Sequence, residues 1–269
     1  VSWVVAAALT LMSLPFLIAR AAGGQPPNPG PKLAALAPLG IVPAVAGVAV
    51  AAVSSWWLAL ALAGPALILV AWQCPPLRPA PRTGRGEHTP GPVLRVLTLN
   101  VKGGAADAEA ITASVAALEV DILAVQELTA GLVRRLALSG LDDILPHSHL
   151  EPREGSPGSG LWARWPLTPL TPVTGARAAT PRARIDPPAG PPVTVTVVHP
   201  VAPVADHEHR WWQELRLIQA ALAGTTGPQL AAGDFNATRD HRAFRALLRS
   251  GFVDCADAAR QRVWPGLTW

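Results

Sequence analysis

Three apolar runs open the chain: Val1–Ala19, Leu33–Val53 and Trp56–Trp72, none with a charged residue. A membrane-crossing helix needs ~20 apolar residues, within ~17–25, so each run predicts a span. Pro15, Pro38, Pro43 and Pro65 interrupt them, which membrane helices tolerate. Trp3, Trp56, Trp57 and Trp72 lie near run ends, where indoles favour the headgroup layer. A signal peptide accounts for the first run less well, because two more runs follow. The expectation is three transmembrane helices over residues 1–72. Gln73–Pro92 then reads as an extended linker, with Pro75, Pro76, Pro79, Pro81, Pro90 and Pro92 among Arg78, Arg82 and Arg85.

From Val93 the pattern changes to short alternating elements. Val93–Leu99, Asp121–Val125, Leu161–Trp165, Arg182–Asp186, Val193–Val198 and Gln229–Ala232 predict strands. Asp107 predicts an N-cap for a helix whose Ile111, Val115 and Leu118 share a face, and Thr129 another for a helix ending near Gly140. Asp206–Ala223 is helical, with Trp211, Leu215, Ile218 and Leu222 on one side. Asp240–Arg249 predicts a last helix closed by Gly251. Strands and helices mixed in this order imply an α/β or α+β layered domain over 93–269.

Composition agrees with an apolar anchor joined to a turn-rich domain: 269 residues, 50% hydrophobic, 15% charged, 29 prolines and 23 glycines. Cys74 and Cys255 are too few and too far apart for a disulfide framework or a paired metal motif. The net charge of +4 suits phosphates, nucleic acid or anionic lipid, and equally well ordinary solubility. Arg239, Arg242, Arg245 and Arg249 make a basic helix that reads as a solvated face. Trp211 and Trp212 beside Arg210 read as core packing. His147 with His149, and His207 with His209, are read as exposed and not as zinc ligands.

Polar residues collect where the predicted strands end: Asn100, Glu127, His199, Asp234 and Asn236. Singly, each has a structural reading: a turn amide, a solvated charge, a locally bonded imidazole, an Asx turn beside Gly233. Together they hold the parts of phosphoester hydrolysis. Glu127 and Asn100 offer oxygen ligands of the kind a hard cation takes. His199 offers a donor for a phosphoryl oxygen. Asp234 and Asn236 project to the same side of an extended segment.

The runs VLRVLTLNVKGG, DILAVQELT, GSGLWARWPL, VTVTVVHP and LAAGDFNAT, in this order across Val93–Trp269, resemble the endonuclease/exonuclease/phosphatase superfamily. The resemblance implies a two-layer β-sandwich flanked by helices, the deoxyribonuclease-like four-layer fold, preceded here by the three transmembrane helices. It implies Asn100 and Glu127 at a site for Mg2+ (or Mn2+), with Glu127 the direct ligand. His199 corresponds to the histidine that binds the scissile phosphate, Asp234 to the aspartate that orients or deprotonates the attacking water, and Asn236 to the asparagine that holds the phosphate. Arg164 falls near the family's substrate cleft and is expected to contact phosphate.

The sequence departs from the family: the terminal strand with its Asp-His pair is absent before Trp269, Asp240-His241 stands too early, at a helix start, and no Tyr occurs. The expectation is a domain incomplete at its C-terminus in a truncated chain.

The implied function is a membrane-anchored, metal-dependent phosphoester hydrolase of phosphodiesterase, nuclease or phosphatase type. Its substrate would be a lipid headgroup, a nucleic acid or a small phosphoester. The alternative is a non-catalytic module that binds a phosphorylated ligand, or an inactive remnant lacking the terminal Asp-His motif. Arg20, Lys32, Arg78, Arg82 and Arg85 lie on the domain's side of the spans, which by the positive-inside rule puts the domain in the cytoplasm. Resemblance to three-span members that face outward points to the extracytoplasmic side, and that placement in a multi-pass cell-membrane protein is the expectation adopted.

Overall fold

A computed structural model describes residues 2–27, 29–73 and 93–258. The expected linker beyond Gln73 and the expected incomplete C-terminus lie largely outside the described residues. The chain divides into two compact units, Val1–Arg85 with Pro203–Trp212 and Ala237–Trp269, and Gly86–Ala202 with Gln213–Asn236.

The first unit is helical. It contains α1 (Ser2–Ala22), the short α2 (Gly30–Ala35), α3 (Ile41–Ser54) and α4 (Trp56–Gln73). Ser2–Ala22, Ala37–Ser54 and Trp56–Gln73 are each long and apolar enough to cross a membrane. Their contacts are made by small residues. Ala6, Ala44 and Ala51 are fully buried, and a Cβ on Gly47 would lie 2.8 Å from the Ala6 carbonyl oxygen. Such close backbone approach suits helices packed in lipid, where no hydrophobic driving force separates helix from solvent. Large apolar side chains point outward instead, among them Trp3, Leu11, Trp57, Leu60 and Leu67. The unit also holds the later helices α9 (Arg242–Arg249) and α10 (Cys255–Ala258).

The second unit holds two four-stranded sheets. Its first half contains β1 (Val96–Asn100), α5 (Ala108–Ala117), β2 (Ile122–Gln126), α6 (Ala130–Leu138), α7 (Leu141–Ile144), β3 (His147–Glu151) and β4 (Ser159–Ala163). These strands form one sheet in the order β1-β2-β4-β3. The second sheet, in the order β5-β6-β7-β8, contains β5 (Leu167–Leu170), β6 (Arg182–Ile185), β7 (Val193–Val198) and β8 (Gln229–Gly233). Helix α8 (Glu208–Ala223) connects β7 to β8. The predicted caps form: Asp107 accepts the N–H groups of Glu109 and Ala110, and Thr129 that of Leu132.

Alternation sets the layers. Ile122, Ala124, Leu161 and Ala163 pack against Ala183, Ile185, Val195 and Val197, so the two sheets share one core. Leu123, Val125 and Trp162, on the opposite face of the first sheet, pack against Ile111, Val115, Leu132 and Leu136 of α5 and α6. The inner face of the second sheet is thus occupied, and α8, which links its adjacent parallel strands, has Leu215, Ile218 and Leu222 buried. The result is the expected sandwich with helices on both sides.

Several elements escape the sequence pattern, β3, β5 and α2 among them. β3 mixes polar residues and, among the described residues, pairs with β4 alone, while β5 carries Pro169, a residue confined to edge strands. On β3, His147 and His149 are half-buried rather than exposed. The short α2 lies between two apolar runs and has little pattern of its own.

Candidate functional site

Each sheet contains one parallel pair, β1 with β2 and β7 with β8. Parallel pairing aligns strand ends that lie far apart in sequence. The register pairs Asn100 with Gln126, so Glu127 follows directly beside it. It pairs Val198 with Gly233, so His199 and Asp234 emerge together. The two sheets share a core, and all four chain ends leave the second unit's strands at their C-terminal edges.

The side chains meet there. The Asn100 amide Nδ2 donates to Glu127 Oε1 at 3.0 Å and to Asp234 Oδ2 at 3.3 Å. Glu127 Oε2 accepts the Gly103 N–H at 2.7 Å. His199 Nε2 lies 3.8 Å from Glu127 Oε1. Asp234 Oδ1 accepts the Asn236 N–H at 2.8 Å, and Asn236 Nδ2 donates to the Pro200 carbonyl at 2.9 Å. His199 and Asn236 are buried, Glu127 and Asp234 half-buried, and Asn100 exposed. The His199 Nδ1 atom is buried without a hydrogen-bond partner among the described residues.

Several backbone positions are costly. Lys102, Glu127 and Asn236 have φ of 49°, 63° and 46°, a left-handed conformation that L residues other than Asn and Asp rarely take. Such strain collects where a site demands it and the surroundings enforce it. The neighbours of Glu127 supply that enforcement: Leu128 is fully buried and its N–H donates to the Gly158 carbonyl at 3.0 Å. Gly233 is required for closeness, since a Cβ there would sit 2.0 Å from the Val198 carbonyl oxygen.

Arg164 stands elsewhere. β4 runs antiparallel to β2, with Ala163 opposite Ile122 and Ser159 opposite Gln126. Arg164 therefore reaches the start of β2, where its Nε donates to Asp121 Oδ1 at 2.9 Å and Nη2 to the Val120 carbonyl at 3.0 Å. From Asp121 to Glu127 is roughly 20 Å along the strand at about 3.3 Å per residue. The structure brings the other five residues together and leaves this one out.

Two supports have no clear sequence signal. The loop after β1 turns the Lys102 N–H onto Asn100 Oδ1 at 2.9 Å and the Gly103 N–H onto Glu127. The Gly103-Gly104 pair is the only hint of it. Glu214 is fully buried on α8. It accepts the N–H groups of Arg177 at 2.9 Å and Val201 at 3.0 Å, fixing the chain just past His199 and Pro200. On a helix it reads as one more surface charge.

The donor chemistry fits a hard divalent cation. Glu127 and Asp234 contribute carboxylate oxygens next to an exposed edge, and the Asn100 amide nitrogen donates to both while its oxygen takes the Lys102 N–H. Among the described residues no group of three or more His, Cys, Asp and Glu side chains converges as an all-protein cage. Magnesium needs no such cage, because it binds through one or two carboxylates and keeps several waters.

The sequence pattern of the Endonuclease/Exonuclease/phosphatase family matches residues 97–269. No curated protein matches the chain in sequence. Among solved structures, an AP endonuclease from Archaeoglobus fulgidus is similar at a TM-score of 0.52 and 16% identity, over 64% of this chain and 76% of that one. The D. rerio TDP2 complexed with single strand DNA product is similar at a TM-score of 0.50 and 15% identity, over 63% and 71%. At these identities the likeness is one of fold. With the family pattern spanning both sheets and every strand end described above, this chain belongs to the Endonuclease/Exonuclease/phosphatase family.

Proposed function

We propose that the chain is a membrane-anchored phosphoester hydrolase that depends on Mg2+ or Mn2+. Residues 1–72 would supply the anchor and 93–269 the hydrolase. The observation that carries this reading is the meeting of Asn100, Glu127, His199, Asp234 and Asn236 from separate strand ends, through contacts of 2.8–3.8 Å.

Glu127, with Asn100 beside it, would hold the cation, which when bound supplies charge neutralisation at the phosphoryl oxygens. Asp234 is set to act on water. One oxygen is tied down by the Asn236 N–H, which fixes the carboxylate plane, and the group has the charge to orient water and accept its proton. His199 Nε2 and the Asn236 amide are donors for the phosphate. The Pro200 carbonyl holds one Asn236 amide hydrogen and so fixes the direction of the other. Positioned donors of this kind stabilise charge as it develops, without reorganising during the reaction.

The class of substrate follows from the anchor. A tethered domain meets lipid headgroups, small phosphoesters or nucleic acid outside the cell more readily than chromosomal DNA, and we place the domain on the extracytoplasmic side. Labelling Glu154→Cys, an exposed position, in intact cells of a strain lacking other chain cysteines tests this side; labelling only after lysis reverses it.

The test of function is hydrolysis of bis(4-nitrophenyl) phosphate by the full natural protein in detergent. Turnover that needs Mg2+ or Mn2+, stops with EDTA and is lost in Asp234→Asn supports the reading. Metal-dependent binding of a phosphoester without turnover replaces it with a binding module.

A further inference from the structure

The five residues of the proposed site include two carboxylates and no permanent cation. Arg164, the cation expected there, is held at the far end of β4 by Asp121. Two other cations stand beside the site, and both belong to the second unit. Lys102 and Arg177 are exposed. Among the described residues neither side chain makes a hydrogen bond or an ion pair. Their backbones, by contrast, are bound to the segments that carry the site.

Lys102 follows Asn100 by two residues. Its N–H donates to Asn100 Oδ1 at 2.9 Å, and the next N–H, of Gly103, donates to Glu127 Oε2 at 2.7 Å. The Lys102 Cα is thus pinned between two site residues. The rest of the loop is held as firmly. Arg135 Nη2 donates to the Gly104 carbonyl at 2.6 Å, and a Cβ on Gly104 would lie 2.2 Å from Thr129 Oγ1. Lys102, Gly103 and Gly104 all have left-handed φ, of 49°, 62° and 76°. Glycine takes this conformation freely, whereas a residue with a Cβ is strained in it. Glycine would serve the backbone at all three positions, so the loop itself does not explain a lysine at the first.

Arg177 lies on the second-sheet side, in the loop between β5 and β6. Its N–H donates to Glu214 at 2.9 Å, and the same carboxylate accepts the Val201 N–H at 3.0 Å. Val201 follows Pro200, whose carbonyl holds the Asn236 amide. One carboxylate therefore separates the Arg177 backbone from the segment that carries His199. The Arg177 carbonyl accepts Arg153 Nη1 at 3.0 Å. The backbone is tied on both sides of the Cα while the guanidinium is not. Arg153 differs, because Glu151 at 3.4 Å offsets its charge.

A lone phosphodiester carries one charge, which a bound cation, His199 and Asn236 already meet. Fixed backbones with unpaired cationic heads, one beside Asn100 and Glu127 and the other beside the His199–Pro200 segment, suit charge on either side of it. We propose that Lys102 and Arg177 determine specificity by binding the phosphates next to the scissile one. The site then prefers a strand of single-stranded nucleic acid to a diester with an isolated phosphate, such as a lipid headgroup. This inference rests on the site assignment given under the proposed function and selects among the substrates named there.

Binding to the full Asp234→Asn chain in detergent with Mg2+, read by fluorescence anisotropy, tests this without turnover. The probes are a labelled thymidine dinucleotide, whose single phosphate is the scissile one, and the tetranucleotide, whose central phosphate has a neighbour on each side. The tetranucleotide should bind at least ~10-fold more tightly. Adding Lys102→Met or Arg177→Met, which leaves every backbone bond in place, should cost ~10-fold on the tetranucleotide, as for a lost hydrogen bond to a charged group, and nothing on the dinucleotide. Each should also flatten the salt dependence of log affinity by about 0.7, the slope per phosphate contact on a single strand. Lys102→Arg should retain affinity. Lys102→Gly should bind like Lys102→Met and melt no lower than its parent, which separates the side chain's role from the loop's. Arg134→Met, at an exposed cation of α6, should change neither probe. Equal affinity of the parent for both probes overturns the inference, as do equal losses on both probes or a loss in Arg134→Met that matches Lys102→Met. Hydrolysis of bis(4-nitrophenyl) phosphate by the unsubstituted chain separates the two readings. Turnover without a tetranucleotide preference sinks the strand specificity alone. A preference that depends on Lys102 and Arg177 without any turnover sinks the hydrolase reading alone.

Discussion

Asp234 reaches in two directions at once: Oδ1 accepts the Asn236 N–H at 2.8 Å, and Oδ2 accepts from Asn100 Nδ2 at 3.3 Å. The first bond holds a left-handed turn at Asn236. The second ties β8 to β1. Asp234→Asn keeps a carbonyl oxygen for the turn and removes the charge. Turnover should fall ~10²–10⁴-fold, the loss expected for a general base, with thermal stability within a few degrees of wild type. Turnover near wild type would remove Asp234 from its role.

Glu127→Gln keeps an oxygen for the Gly103 N–H and loses the charge that attracts a cation. Calorimetric titration with Mg2+ should show affinity weakened at least ~10-fold, or about 1.4 kcal/mol. Equal affinity in the variant would move the metal elsewhere.

Gly233 has φ of 148°, and its Cα faces the Val198 carbonyl closely enough to exclude a Cβ. Gly233→Ala should destabilise the fold by more than ~1 kcal/mol, because Ala meets both strain and a backbone clash. Denaturant unfolding measures this, and an unchanged midpoint contradicts the close approach of β7 and β8.

Glu214 holds the Arg177 and Val201 N–H groups. Glu214→Ala leaves these donors without that partner, a loss of about 1–3 kcal/mol for an unmade buried bond. Glu214→Gln retains one acceptor and should fall between. Turnover should follow the same order, since Val201 adjoins Pro200, the residue that holds Asn236. Equal activity in all three proteins would confine Glu214 to stability.

Burial pushes the His241 imidazole below its usual pKa; the Pro31 and Thr238 bonds and Asp240 oppose this, and Arg245 adds to it. Its contacts suit the neutral ring protonated at Nε2. A lowered folded pKa means that the unfolded chain binds the proton first. Stability is therefore full above the unfolded value of about 6.5 and is lost as pH falls below it. Melting of the full chain should drop between about pH 7 and pH 5 more steeply than melting of His241→Gln. Parallel pH profiles would show that the ring does not titrate in this way.

Much of the site is legible before folding. Asn100, Glu127, His199 and Asp234 each follow an apolar strand, and a polar residue at a strand end has few structural tasks. The same logic misplaces Arg164. It also follows a strand, yet nothing in the local sequence tells that β4 runs antiparallel to β2 and carries its last residue to the far edge. Asp240 and Glu214 are hidden for a related reason. On a helix pattern both read as surface charges, and both become buried because distant segments cover them.

The sequence by itself determined the three apolar helices, the alternation of the core strands, the helix caps at Asp107 and Thr129, and the polar residue types at the strand ends. These depend on neighbours within a turn or a strand. The tertiary structure alone decided which strands pair, in which direction, and which charges lose water. Pairing joins residues such as Asn100 and Asp234 across more than a hundred positions, and no local pattern encodes a partner at that distance.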